Sequence, residues 1–237
     1  MAHLLRSAAN YALRTFLPEK FKEKHELSFW HKKLREEDGR LVNRHYQRFY
    51  TEFFGLSPEF YAGKRIVDIG CGPRGSLEWA DMAAERVGID SLAKEYLKLN
   101  GGRHKMRYVD AGAEAMPFES AHFDVACSFN SLDHVDDLGR ALAEIKRIVK
   151  PGGLFLLITE VNHAATPTEP QCFSFDIVDK FKPEFTIVSM RRFEMAGNVY
   201  DSLGRGVPYD EADKTHRDAL LAAMFERNDA HANWDVH

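Results

Sequence analysis

Val67-Asp68-Ile69-Gly70-Cys71-Gly72-Pro73-Arg74-Gly75 is the stretch on which the fold turns. The apolar run that begins at Arg65 carries one acidic residue and gives way after Ile69 to glycines spaced G-x-G-x-x-G. Ser76-Leu77-Glu78-Trp79-Ala80 follows with a helix-like composition, so the passage reads as strand, tight turn and helix N-terminus. Glycine at such a turn lets a ligand approach the backbone, because no Cβ stands in the way. Asp90 lies about 20 residues further on, at the end of Val87-Gly88-Ile89, where sheets of this kind offer a carboxylate to a ribose diol.

Outward from the loop, apolar runs alternate with helical patterns. Strands are predicted at 65–69, 86–89, 106–109, 123–129, 154–161 and 185–190. Helices are predicted at 76–85, 93–99, 137–149 and 174–181. The third of these places Leu138, Ala141, Leu142, Ile145 and Ile148 on one face, with Lys150-Pro151-Gly152-Gly153 as its stop. The alternation predicts an α/β fold, doubly wound around a mainly parallel, Rossmann-like sheet with helices on both faces. Residues 1–60 read as an N-terminal helical cover, 61–200 as the core and 201–237 as a polar C-terminal extension. The cover includes a helical pattern at 1–16, and the extension a helical candidate at 210–227 with Ala219, Leu220, Ala223 and Met224 on one side. Tyr46, Phe49, Tyr50, Phe53 and Phe54 follow three-and-four spacing and are expected in the core, with one or two roofing a pocket. The charge-rich stretch 20–40 is expected to be a solvated face.

Composition narrows the classes. Charged residues make up 29% of the chain and the formal net charge is −4, so no global basic field recruits nucleic acid. No segment approaches the apolar length of a membrane span, and no stable membrane insertion is expected. Cys71, Cys127 and Cys172 have neither metal-ligand spacing nor the density of a disulfide framework, which makes a reducing, cytoplasmic compartment the simplest reading.

Spacing alone fits a dinucleotide as well as S-adenosylmethionine, since both lie where a parallel sheet reverses strand order. The remaining motifs separate them. The 67–75 run, the Gly88-Ile89-Asp90 strand end, Ala113-Glu114-Ala115-Met116-Pro117-Phe118, Phe123-Asp124-Val125 and Lys150-Pro151-Gly152-Gly153 occur in this order. Together they resemble the class I S-adenosylmethionine-dependent methyltransferases of the type 11 group, over residues 60–190. The resemblance implies a seven-stranded sheet and S-adenosylmethionine as cofactor. It implies that Gly70 and Gly72 pass beside the methionine moiety, that Asp68 sits near its amino group, and that Asp90 accepts from the ribose hydroxyls. Ala113 would offer its N–H to the adenine, and Asn130 a carbonyl near the amino group; Glu114 belongs to the same cofactor set. Relatives often carry Asp-Ala-Glu where this chain has Gly112-Ala113-Glu114, so either Asp110 reaches in or backbone holds the adenine.

The resemblance makes the chain an enzyme whose acceptor is a small molecule, including sugars and other glycan precursors, with oxygen expected ahead of nitrogen. A nicotinamide oxidoreductase and a non-catalytic cofactor-binding relative are the competing readings. The first lacks a Tyr-x-x-x-Lys pair, because Asn100 stands four residues after Tyr96 and Gly112 four after Tyr108. Transfer from a sulfonium is an in-line displacement, in which the protein aligns the acceptor and receives its proton. The loops after strands four and five hold the two candidate bases, His134 and His163. Asp133 to Asp137 reads as a helix cap. Nothing in the spacing of Glu160, His163 and Glu169 demands a divalent ion, and no metal is expected. Oligomeric state is not legible.

Overall fold

The structure, a computed structural model, describes residues 18–43, 46–100 and 103–229. The helical pattern at 1–16 lies outside these residues. Seven strands form one sheet in the order β3-β2-β1-β4-β5-β7-β6. They are β1 (Arg65–Ile69), β2 (Glu85–Asp90), β3 (Arg107–Asp110), β4 (Phe123–Phe129), β5 (Val149–Val161), β6 (Phe185–Glu194) and β7 (Ala219–Arg227). The first five run parallel, and β7 is antiparallel to both its neighbours. Strand order reverses at β1 and β4, so their carboxyl ends open the crevice where such sheets bind ligands. The α-helices among the described residues are α1 (Pro18–Glu36), α2 (Gln47–Tyr50), α3 (Ala93–Asn100), α4 (Leu138–Ile148) and α5 (Val199–Arg205).

Helix α4 shows how sequence becomes packing. Asp137 caps it by accepting from Arg140 N at 3.0 Å, and Ala141, Leu142, Ile145 and Ile148 bury its apolar stripe. Glu144 and Arg147 on its flank fasten the loop after β3: Glu144 accepts from Met116 N at 2.7 Å, and Arg147 donates to Met116 O at 2.9 Å. That loop forms part of the cavity described below.

Two expectations fail for instructive reasons. Residues 76–84 form turns and Glu85 opens β2, where a helix over 76–85 was expected. The carboxylate of Glu78 accepts from Lys105 N and Met106 N, each at 2.7 Å, while Arg86 takes the Leu77 and Glu78 carbonyls. Tertiary hydrogen bonds thus claim the groups a helix would use, and no helix N-terminus follows the glycine loop. The sheet face left open there is sealed by Phe49, Tyr50, Phe54 and Tyr61, packed on Ile66, Val125, Cys127 and Ile158. The second failure is the helix expected at 210–227. Residues 219–227 are strand β7, inserted between β5 and β6, so the sheet runs well past residue 200. Ala219-Leu220-Leu221-Ala222-Ala223-Met224-Phe225 is buried throughout, which is the unbroken apolar pattern of a strand covered on both faces. The 174–181 segment winds as a 3-10 turn, Phe175–Phe181.

Candidate functional site

A cavity of about 920 Å³ lies at the carboxyl ends of β1, β2, β4 and β5 and beneath α1. Its floor is the glycine loop. Gly70 has φ +74°, and a Cβ there would meet the Ser131 Cβ at 2.3 Å; Gly72 has φ +58°. Both positions require the left-handed backbone that glycine adopts without strain. Asp90 ties the floor together, its Oδ2 accepting from Gly72 N at 3.1 Å and its Oδ1 from Leu92 N at 3.0 Å. Burial pushes its carboxyl up to about 6, with Glu26 adding to the rise and the two amides and His134 opposing it.

The other residues singled out from sequence divide into those on the wall and those behind it. Gly70, Gly72, Asp90, Ala113, Glu114, Asn130 and His134 line the cavity. Asn130 takes φ +52° just past β4, donates its N–H to Ile158 O at 2.7 Å, and leaves its buried Oδ1 with no donor. Glu114 accepts from Asp136 N at 2.9 Å, pinning the turn after β4. Asp68 is buried behind the wall, where it accepts from the Tyr50 hydroxyl at 2.9 Å, and burial raises its carboxyl to about 7. Asp110 does not turn inward. It ion-pairs with Lys94 away from the cavity. His163 also stands behind the wall, its Nδ1 3.1 Å from the Ala164 carbonyl and its Nε2 3.8 Å from Asp133 Oδ2.

Sequence reasoning missed the roof. The stretch expected to be solvated supplies Lys22, Glu26, Phe29, Trp30 and Lys33 to the cavity from α1. Lys22 Nζ reaches across to the His134 carbonyl at 2.8 Å and Asp136 Oδ1 at 2.6 Å. At the far end of α1, Arg74 of the glycine loop forms a two-pronged ion pair with Glu37 and lies over the Trp30 ring at 5.4 Å. Tyr46 and Tyr200 complete the roof, their rings stacked at 4.6 Å, so one of the expected pocket aromatics is found. Asp133 was also missed. Asp137 is the helix cap, while Asp133 is buried between His134 and His163. No periodicity distinguishes a buried aspartate from a capping one inside Asp133-His134-Val135-Asp136-Asp137.

Near Asp133 the cavity wall also carries Glu160 and Glu169. His134 Nε2 is 3.9 Å from Asp133 Oδ1 and 4.0 Å from Glu169 Oε1. Burial raises the carboxyls of Asp133 and Glu160; Glu169 adds to both and Asp133 to that of Glu160, while His134 and His163 oppose the rise at Asp133 and His163 that at Glu160.

Comparison with known proteins agrees with this architecture. Residues 67–157 match the model of a family described as "Methyltransferase domain". A malonyl-[acyl-carrier protein] O-methyltransferase of Pseudescherichia vulneris is 35% identical over 96 residues, covering 40% of this chain and 38% of that protein. The ubiquinone/menaquinone biosynthesis C-methyltransferase UbiE of Shewanella piezotolerans is 26% identical over 201 residues, covering 78% of this chain and 74% of that protein. In fold, a putative S-adenosylmethionine-dependent methyltransferase from Listeria monocytogenes superposes with a TM-score of 0.55 at 15% identity, covering 75% of this chain and 97% of that one. The chemistry of the wall suits that cofactor: two side-chain-free loop positions, a carboxylate for a diol, and an orphaned Asn130 oxygen for an ammonium group. Residues 67–157 thus match a methyltransferase domain, and the 3-2-1-4-5-7-6 sheet around them has the fold of the solved S-adenosylmethionine-dependent methyltransferase it superposes on.

Proposed function

We propose that the chain transfers a methyl group from S-adenosylmethionine to a hydroxyl oxygen of a small-molecule acceptor. The observation that carries this is the composition of the cavity. The same cavity is lined by the glycine loop with Asp90 and Asn130 and, from β5 and the loops after β4 and β5, by His134, Glu160 and Glu169. Bound S-adenosylmethionine would supply the electrophilic methyl and a sulfur leaving group. The chain's own task is then to seat the nucleosidyl part, align an oxygen and dispose of its proton. Asp90 would accept from the ribose hydroxyls while its other contacts keep the loop in place. Asn130 Oδ1 would accept from the ammonium, and Trp30 would cover the loop from above. Asp68, behind the wall, would act by holding Tyr50 and the strand end. His134, with Asp133 and Glu169 beside it, would handle the acceptor's proton; His163 stands too far back to touch an acceptor directly.

The name of one relative, the malonyl-[acyl-carrier protein] O-methyltransferase, favours oxygen. The longer match to UbiE favours a second reading, carbon methylation of a quinone-type ring. Turnover of methyl-labelled S-adenosylmethionine with pools of hydroxylated and quinol acceptors separates the two. Oxygen transfer gives label that is released when the product's ether is cleaved by hydroiodic acid; label that survives cleavage assigns carbon.

Two results are expected. His134→Ala lowers kcat about 100-fold or more, the usual scale of a lost proton-transfer group, with little change in the affinity for S-adenosylhomocysteine. Turnover equal to that of the unmodified chain removes His134 from the chemistry. The second concerns pH. Asp90, raised to about 6, is ionised above that value and fully competent to accept, and it is protonated below it. Affinity for S-adenosylhomocysteine therefore weakens as pH falls, by about tenfold between pH 6 and pH 5. Calorimetry across that window giving a constant Kd contradicts the assignment.

A further inference from the structure

The polar group around Asp133 contains more unpaired ligand atoms than proton transfer requires. The Asp133 side chain is 3% exposed and its Oδ1 has no hydrogen-bond partner. The His163 side chain is 10% exposed, and its Nε2 is likewise without a partner. The tautomer of His163 sharpens this. Its Nδ1 faces the Ala164 carbonyl at 3.1 Å, and a carbonyl only accepts, so the hydrogen sits on Nδ1. In the neutral ring the Nε2 lone pair then points toward Asp133 Oδ2 at 3.8 Å, acceptor against acceptor.

Charge tells the same story. Among the described residues, no lysine or arginine pairs with Asp133, Glu160 or Glu169, although all three carboxylates lie in one corner of the site. Buried carboxylates in native proteins are paired or coordinate a cation. One ligand atom each from Asp133, His134 and Glu169 falls within 4.8 Å of the others. A first-row cation with bonds of about 2.0–2.2 Å holds its ligand atoms about 3–3.5 Å apart. The observed 3.9 and 4.0 Å separations thus need to shrink by only about half an ångström. His134 and Glu169 are each about one-third exposed, with Glu169 Oε2 accepting from the Thr166 hydroxyl at 3.1 Å and its Oε1 facing His134, whereas Asp133 is buried. Its backbone carbonyl is held by Gln171 N at 3.2 Å.

We propose that Asp133, His134 and Glu169 bind a divalent first-row cation, with His163 set behind Asp133 to complete or orient the ligand set. The mixed imidazole and carboxylate donors suit Mn²⁺ or Zn²⁺ better than Mg²⁺ or Ca²⁺, which favour all-oxygen shells. The remaining coordination positions face the cavity, where they would take the oxygen of a hydroxylated acceptor; with the cation bound, His134 Nε2 is a ligand, and the cation, by lowering the hydroxyl's pKa so that its proton passes to solvent, takes over the proton role given to His134 above. That last step rests on the methyl-transfer reading; cation binding does not.

The test is titration of the untagged, chelator-treated chain with Mn²⁺, following the free-ion EPR signal, in parallel with calorimetry of S-adenosylhomocysteine. Expected is one Mn²⁺ per chain in the micromolar range, weakened at least about tenfold by Glu169→Gln and lost in the His134→Ala/Glu169→Gln double variant. Asp133→Asn should abolish binding too, but it alters a buried carboxylate. The two part-exposed positions therefore carry the test, with retained S-adenosylhomocysteine affinity as the check on folding. No Mn²⁺ binding up to millimolar concentration, or binding indifferent to these substitutions, overturns the cation site. If S-adenosylhomocysteine still binds in that case, the methyltransferase reading stands and the corner is left to recognise a cationic acceptor instead.

Discussion

Asp90→Ala is expected to raise the Kd for S-adenosylhomocysteine by more than about 100-fold. Each hydrogen bond to a charged group contributes about 1.5–3 kcal/mol, and two ribose contacts at that scale amount to about 3–6 kcal/mol. The loss is compounded because Asp90 also holds Gly72 N and Leu92 N, so the cofactor's contacts and the loop's conformation fail together. Asp90→Asn separates the two contributions: it retains an acceptor for one amide but loses the charge, and an intermediate Kd is expected. Calorimetry decides. An alanine variant that folds normally and binds S-adenosylhomocysteine within about threefold of the unmodified chain would remove the carboxylate from the cofactor site.

Gly70→Ala is expected to destabilise the fold by about 2–5 kcal/mol, measured by urea denaturation. Two costs combine. The residue sits at φ +74°, a conformation that costs an L-residue about 1–2 kcal/mol. The new methyl would also stand 2.3 Å from the Ser131 Cβ, and overpacking adds about 1–3 kcal/mol. Ser131 cannot simply withdraw, since its hydroxyl donates to Ile69 O at 2.7 Å and lies 2.8 Å from the Ser128 hydroxyl. Gly152→Ala is the control. Its φ is +70° but open space surrounds the added methyl, so only the backbone cost remains. Equal destabilisation of the two variants would mean that the Ser131 contact is relieved at no cost.

The architecture was legible where the sequence pattern had one physical meaning. Five motifs in order, four of them marked by glycine or proline, located β1, β2, β4 and β5, and the stripe on 138–148 located α4 with its Asp137 cap. It was illegible where two patterns coincide. Ala219 to Phe225 satisfies both helical spacing and the continuous apolar run of a doubly buried strand, and only the gap between β5 and β6 chooses the latter. The 76–85 stretch has helix-forming residues, yet Glu78 and Arg86 are spent on distant backbone groups. At the site, glycine spacing and a strand-end aspartate identified the floor, because backbone conformation and strand geometry are local. The roof was hidden because charged α1 residues cover the cavity through long-range contacts such as Lys22 with the His134 carbonyl. Asp110 shows the converse: an acid near the motif pairs with Lys94 and plays no part in the wall.

The most direct test of the central claim is calorimetric titration of the intact chain with S-adenosylmethionine, S-adenosylhomocysteine and NAD⁺ under identical conditions. The predicted result is saturable binding of both sulfur compounds at one site per chain in the micromolar range, with no heat from NAD⁺. Binding of NAD⁺, or no response to either sulfur compound up to millimolar concentration, would contradict the assignment of the glycine loop, Asp90 and Asn130 to a sulfonium cofactor.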